Sequence, residues 1–206
     1  GLATWVFTLC FGYYSICALQ WYGYKPERVL FHYAKPKWHL HYAILPFLIF
    51  NAGLAISSIL GLLFSFIYIW FLARWQMQIK SRLVITERVT RYFLILAVVA
   101  ALCLMGFKKW YFLAPASIIA VVLSFYLSLL AERVLYKFYK NQAIEKLQNM
   151  KDLKIVLVTA SYGKTSIKNY LQTMLESTCK VQSSPRSVNT AAGLLQDINE
   201  NLKEKT

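Results

Sequence analysis

Residues 158–171, VTASYGKTSIKNYL, carry the most pointed chemistry in the chain. Gly163, Lys164 and Thr165 fall where an apolar run, KIVLVT (154–159), gives way to a stretch of helical periodicity over 164–177, with Ile167, Tyr170, Leu171, Met174 and Leu175 on one face. In outline this strand-to-helix junction is a phosphate-binding loop. The first amides of a helix have no intrahelical partner, and the helix dipole adds partial positive charge at the same place. Glycine lets the backbone approach phosphate oxygens, lysine neutralises β/γ charge, and the next hydroxyl can ligate Mg²⁺. The strict eight-residue Walker spacing asks for glycine five positions before Gly163; Val158 stands there. The plain alternative is a Gly-Lys-Thr helix start with no nucleotide.

The elements around this loop read β-α-β-α. KIVLVT is short and fully apolar, as a strand buried in a parallel sheet is. CKVQ (179–182) is the second predicted strand, Pro185 marks a turn, and 190–203 is a second helix through Leu194, Leu195, Ile198 and Leu202. The expected polar part is therefore the opening of an α/β P-loop ATPase domain with a parallel sheet, over residues 152–206.

The departure from the Walker spacing has its own pattern. TASYGKTS (159–166) resembles the shorter loop of the Mur ligase family, T-G-[ST]-x-G-K-[ST]-[ST], through Thr159, Ser161, Gly163, Lys164, Thr165 and Ser166; Ala160 stands where the family has Gly. SSPRSVNTAAGLLQDI (183–198) is similar to the family's T-x-x-N-x-N-x-x-G-[VIL] stretch, with Ser184, Ser187, Asn189, Thr190 and Gly193 in the corresponding places. The spacing from Lys164 to Asn189 also fits. The resemblance covers about residues 152–206, and YGKTSIKNYL looks most like the branch that adds D-alanyl-D-alanine. It implies an ATP-dependent amide ligase of peptidoglycan precursor synthesis. ATP would phosphorylate the terminal carboxylate of a UDP-MurNAc-tripeptide, and the amine of D-Ala-D-Ala would displace phosphate from the acyl phosphate. It further implies that Lys164 holds the β/γ-phosphates as the catalytic cation and that Thr165 ligates Mg²⁺. Ala160, Ser161, Tyr162, Gly163, Lys164, Thr165 and Ser166 would cradle the nucleotide. Asn189 and Thr190 would face the nucleotide–substrate cleft; a turn and a helix cap are the other reading of those two.

What precedes the loop is a different kind of chain. Of 206 residues 58% are hydrophobic and 16% charged, where a soluble domain carries roughly 25% charge. Residues 1–130 hold 11 Lys/Arg and 2 Asp/Glu, and residues 131–206 hold 12 and 7. Residues 1–20 carry no charge and at 1.5 Å per residue reach about 30 Å, one bilayer core. The run 42–73 is apolar throughout: one tilted span, or a hairpin broken near Pro46, Asn51, Gly53 or Gly61. Residues 92–107 and 111–130 complete a transmembrane region of four or five spans over 1–130. Residues 131–151 read as a juxtamembrane linker helix, whose Arg133, Lys137, Lys140, Lys146 and Lys151 would rest on anionic headgroups or simply be solvated.

The net charge of +14 lies mostly in short segments between apolar runs, the pattern of cytoplasmic loops, so nucleic acid is not the expected partner. A cytosolic ATP site puts 74–91 (Arg74, Lys80, Arg82, Arg88, Arg91) inside and Lys108 and Lys109 outside, as the positive-inside rule asks. The expected address is the bacterial inner membrane, multi-pass, with the ATP-binding part cytoplasmic. Cys10, Cys17, Cys103 and Cys179 form no CxxC pair and read as reduced thiols. His32, His39 and His41 cluster without cysteine or carboxylate and read as headgroup-level polar residues rather than metal ligands. Both ends of the chain look cut, and residues 152–206 alone, too small to close an α/β core, are expected to be catalytically inert.

Rival readings share the loop. A membrane-anchored polyglutamate capsule synthase differs in amine and acyl substrate. A membrane tyrosine autokinase predicts a longer Gly-rich loop, a transporter with a fused ATPase predicts more spans and Gly at 158, and a non-enzymatic anchor predicts no ATP binding.

Overall fold

The computed structural model describes residues 1–31, 35–79, 82–106, 110–185, 188 and 190–202. It divides into two compact units, Gly1–Leu130 and Ala131–Thr206.

In the first unit, α1 (Leu2–Trp21) is the central helix. A short α2 (Pro26–Phe31) follows, then α3 (Lys37–His39), a π-helical turn (Leu40–Ile44) and α4 (Leu45–Ile56) run on as one span; α5 (Ser58–Gln78), α6 (Glu87–Gly106) and the start of α7 (Trp110–Asn149) complete the bundle. Among the described residues, four helices are long and apolar enough to cross a membrane: Leu2–Trp21, Lys37–Ile56, Ser58–Gln78 and Pro115–Asn149. Residues 92–106 of α6 are uncharged as well. Apolar length makes these segments helical, because a backbone in hydrocarbon must satisfy its own amides and carbonyls.

α1 is buried on two sides. On one, Phe7, Tyr14 and Cys17 pack with Phe50, Leu54, Tyr68, Leu72 and Trp75 of α4 and α5. On the other, Ile16 and Leu19 pack with Val89, Tyr92, Leu96 and Val99 of α6 and with Ala120, Val121 and Phe125 of α7. The first side is an aromatic lattice. Phe7 stacks on Phe50 with ring centres 4.1 Å apart, and Trp75 sits among Tyr14, Trp21, Trp38 and Tyr42 at 5.2, 5.7, 5.8 and 5.4 Å. On the second side Gly12 admits α6: a Cβ there would lie 2.2 Å from Leu96 Cδ2.

The run 42–73 folds as a hairpin. Ser57 is extended (φ −160°, ψ 153°) and its hydroxyl accepts from the Leu60 amide, which starts α5. Gly53 and Gly61 do not form the break. They let the arms touch, for a Cβ on Gly53 would meet the Phe64 ring at 2.3 Å and one on Gly61 would meet Leu54 at 3.2 Å. Pro46 has no N–H to give the carbonyl of Tyr42, and the Tyr68 hydroxyl supplies that bond from α5 at 2.6 Å. α1 ends in a Schellman turn: the Tyr24 amide bonds Leu19 O, the Gly23 amide bonds Gln20 O, and Gly23 takes φ +64°.

The second unit corrects the expected fold class. There is no strand among the described residues, so the α/β P-loop domain with a parallel sheet is not what forms. KIVLVT lies without regular structure, and Ile155, Val156 and Leu157 are 72%, 66% and 82% exposed. Propensity makes a segment extended, but a strand exists only through a partner's hydrogen bonds, and a parallel strand also needs cover on both faces. The natural partner, residues 179–182, leads instead into a segment tied to a helix (below). The unit consists of the tail of α7, α8 (Lys164–Leu175) and α9 (Ala191–Asn201). The end of α9 is fixed to that tail by Lys146, whose ammonium donates to Ile198 O and Asn199 O at 3.0 Å each, and by Asn199 Nδ2 on Tyr139 O at 3.0 Å. Ala143 is the residue buried there.

Candidate phosphate-binding loop

The loop 159–163 has no regular structure and ends at Gly163, which caps α8 from the left-handed region at φ +76°, ψ 2°. An L side chain at that φ is strained by roughly 1–2 kcal/mol, so glycine is the residue the turn requires. Nothing lies within 4 Å of where a Cβ would project. The requirement is conformational, not a matter of room.

α8 begins without a side-chain cap. This separates it from α5 and α9, whose first turns are closed by the hydroxyls of Ser57 and Thr190. Lys164, Thr165 and Ser166 are all exposed, and no helix can satisfy the amides of its own first turn internally. The Lys164 ammonium folds back over its own loop, donating to the carbonyl of Ala160 and, at 3.4 Å, to that of Ser161. Its charge is thereby held against the carbonyls of residues 160 and 161. Thr159, Ser161 and Tyr162 are exposed, and Tyr162 is 92% so. The donor set of α8 amides, the Lys164 ammonium and the Thr165 hydroxyl suits a polyphosphate. Thr165 can give a Mg²⁺ ion one oxygen ligand, the rest being phosphate and water oxygens, as that ion prefers.

The second motif reaches the same helix. Ser183 Oγ donates to Gln172 Oε1 at 2.5 Å, and the next residue, Ser184, gives its carbonyl to the Lys168 ammonium. The chain at 183–184 thus steps along α8 by one helical turn toward Gly163. Thr190 takes the helix-cap role: its Oγ1 accepts from the Gly193 amide at 3.2 Å. Gly193 is held to a small residue there, since a Cβ would meet Val188 Cγ1 at 3.0 Å and Thr190 Oγ1 at 3.1 Å. Ser187 and Asn189 lie outside the described residues, as do His32, Lys80, Lys108 and Lys109.

Comparison with protein-family models, curated proteins and solved structures found no match. The resemblance to the Mur ligases therefore stands on the residues of the two motifs themselves.

Sequence reasoning passed over Lys168 and Gln172. Their signal was the i, i+4, i+8 recurrence of Lys164, Lys168 and Gln172, a polar stripe set away from Ile167, Tyr170 and Met174. In the first unit His39 uses both ring nitrogens on protein, 2.9 Å from the Tyr14 hydroxyl and 2.9 Å from Val29 O, which ties α2 and α3 to α1. His41 Nδ1 lies 2.7 Å from Lys37 O.

Proposed function

We propose that this chain carries a nucleotide-phosphate site on a membrane anchor, and that it serves an ATP-dependent acid–amino-acid ligase of the Mur type. The observation that carries the reading is the opening of α8: a left-handed Gly163, an uncapped first turn and the Lys164 ammonium held over the loop. A parallel sheet is not needed for this local chemistry; an open helix start with an adjacent cation is enough to attract polyphosphate. Lys164 binds the β/γ-phosphates, Thr165 gives Mg²⁺ a ligand, and residues 160–166 wrap the nucleotide.

By the motif resemblance, the γ-phosphoryl group passes to a peptide carboxylate and ADP is released. The amine of D-Ala-D-Ala then attacks the acyl carbon, phosphate leaves, and the amide forms on UDP-MurNAc-tripeptide. The membrane assignment is the bacterial inner membrane with the loop cytoplasmic. With α6 crossing beside the four apolar spans, Leu130 leaves on the face that holds residues 22–31, 35–36, 79 and 82–86. The ends there meet: Trp21, Trp38 and Trp75 pack together, and Gln20 bonds Val84 through both its amide atoms, at 2.8 and 2.9 Å. That face also holds the stacked cations, Lys35 over Trp38 at 4.3 Å, Arg74 over Trp70 at 5.5 Å and Arg88 over Tyr24 at 4.1 Å, which suit anionic headgroups and the cytoplasmic side.

The test follows phosphate release from MgATP by the full-length protein in membranes. UDP-MurNAc-tripeptide is present, D-Ala-D-Ala is added or withheld, and Lys164→Ala is run beside the wild type. Release that needs both substrates and is lost in the variant supports the ligase. Release indifferent to D-Ala-D-Ala moves the assignment to another amine, glutamate first. No turnover and no MgATP binding leaves a membrane anchor.

A further inference from the structure

α7 is one helix of 40 residues, which at 1.5 Å per residue is about twice the thickness of a bilayer core. Its uncharged part ends at Ala131. Val122, Tyr126 and Leu130, then Arg133, Lys137 and Lys140, follow at steps of three and four residues, which places them on one stripe of the helix. The three apolar residues are 49%, 53% and 53% exposed. The three cations are exposed as well, and none of them has a hydrogen bond or ion pair among the described residues. The packed residues of α7 are others: Ser117, Ser124 and Ser128 are buried, and Lys146 bonds α9. The stripe thus turns from apolar to basic between Leu130 and Arg133. The acids of the helix, Glu132 and Glu145, fall off it by spacing.

We propose that Arg133, Lys137 and Lys140 form a docking strip for the headgroups of anionic phospholipid, one that sets the depth of α7 in the membrane. This rests on the reading of α7 as a membrane span. The occupant follows from the change along the stripe. A phospholipid presents its acyl chains to Val122, Tyr126 and Leu130 and its phosphate to the cations just beyond. Helix side chains lean toward the helix N-terminus, which for these three is the direction of the span. Their long stems carry the charge back to the headgroup layer. Arg133 to Lys140 covers about 10 Å of axis, comparable with that layer. The basic residues after the span are thereby divided. Lys146 is committed to the carbonyls of Ile198 and Asn199, and Lys151 lies past the end of the helix. Arg133, Lys137 and Lys140 keep their charge for lipid.

The experiment places the full chain in nanodiscs of mixed zwitterionic and anionic phospholipid and maps photo-crosslinks by peptide mass spectrometry. Three lipids are compared: phosphatidylcholine reactive in its acyl chain, phosphatidylcholine reactive in its headgroup, and phosphatidylglycerol reactive in its headgroup. One cation at an anionic surface is worth about fivefold in local affinity. In the wild type the phosphatidylglycerol headgroup should therefore label 131–145 at least about fivefold more than the phosphatidylcholine headgroup. In the triple variant Arg133→Gln, Lys137→Gln, Lys140→Gln the two headgroups label that segment equally. A second triple variant, Lys151→Gln, Lys154→Gln, Lys180→Gln, removes the same charge away from the strip and keeps the preference. The acyl-chain reagent labels 115–130 in all three proteins, which shows that each is inserted. A preference that survives loss of the strip, that falls equally in both variants, or that is missing from the wild type overturns the proposal and leaves the span standing. A wild type in which the acyl-chain reagent does not reach 115–130 overturns the span itself, and the proposal with it.

Discussion

The two units handle apolar residues in opposite ways. In Gly1–Leu130 the large rings are inside: Phe7, Trp75 and Tyr92 are fully buried against neighbouring helices. In Ala131–Thr206 neither α8 nor α9 has a buried residue, and Ile155, Val156, Leu157, Tyr170 and Met174 all lie exposed. The bundle is held by interdigitated side chains, whereas the second unit is held by a few polar bonds to backbone carbonyls, from Lys146, Lys168 and Asn199. The comparison shows where the molecule keeps its stability and where it keeps its candidate chemistry, and the two do not coincide. Substitutions in the bundle should be read as stability changes. Those on α8 test the proposed ligand site.

The sharpest way to break this contrast is Trp75→Ala set beside Tyr170→Ala. The first empties the centre of the aromatic lattice and should cost about 3 kcal/mol or more; the second should stay within about 0.5 kcal/mol. Unfolding of the purified chain in detergent by titrated denaturant gives both numbers, and equal costs would end the comparison. Next in size is Gly12→Val. Buried Leu96 and Tyr92 stand where its side chain must go, and overpacking of this kind costs about 2 kcal/mol, read in the same titration.

Gly163→Ala meets no neighbour, so its cost is backbone strain alone, about 1.5 kcal/mol. Its larger signature should be weakened MgATP binding with the bundle's unfolding midpoint unchanged. The smallest effect is expected from Thr190→Ala, which removes the cap of α9 at about 1 kcal/mol. It should appear as faster amide exchange in the first turn of α9 and nowhere in the first unit.

The sequence reading succeeded where one physical requirement acts alone. Uncharged length marked 1–20 and 111–130, because hydrocarbon leaves the backbone no other choice than helix. It left 42–73 open because hydropathy there is uniform. The deciding residue, Ser57, acts by capping α5, which is a quiet signal inside an apolar run. Lys37–His39 lie before the apolar run 42–73 yet already turn as helix into the span. Charge and aromatic content there describe the membrane interface rather than the backbone.

The sheet was misread for a more basic reason. KIVLVT has every local property of a buried strand, but pairing is a property of two segments, and the 183–184 stretch is held by Gln172 and Lys168 instead. At the candidate site the turn at Gly163 was legible, because a special φ is a property of a single residue. The bond from Lys168 was not, because it depends on where Ser184 passes.

The most direct test of the account is equilibrium binding of MgATP to the full chain in nanodiscs, wild type against Lys164→Ala. The account predicts saturable, Mg²⁺-dependent binding that weakens on the order of a hundredfold in the variant, the scale of losing a charged contact to phosphate. Equal binding by both proteins, or none by the wild type, would contradict it.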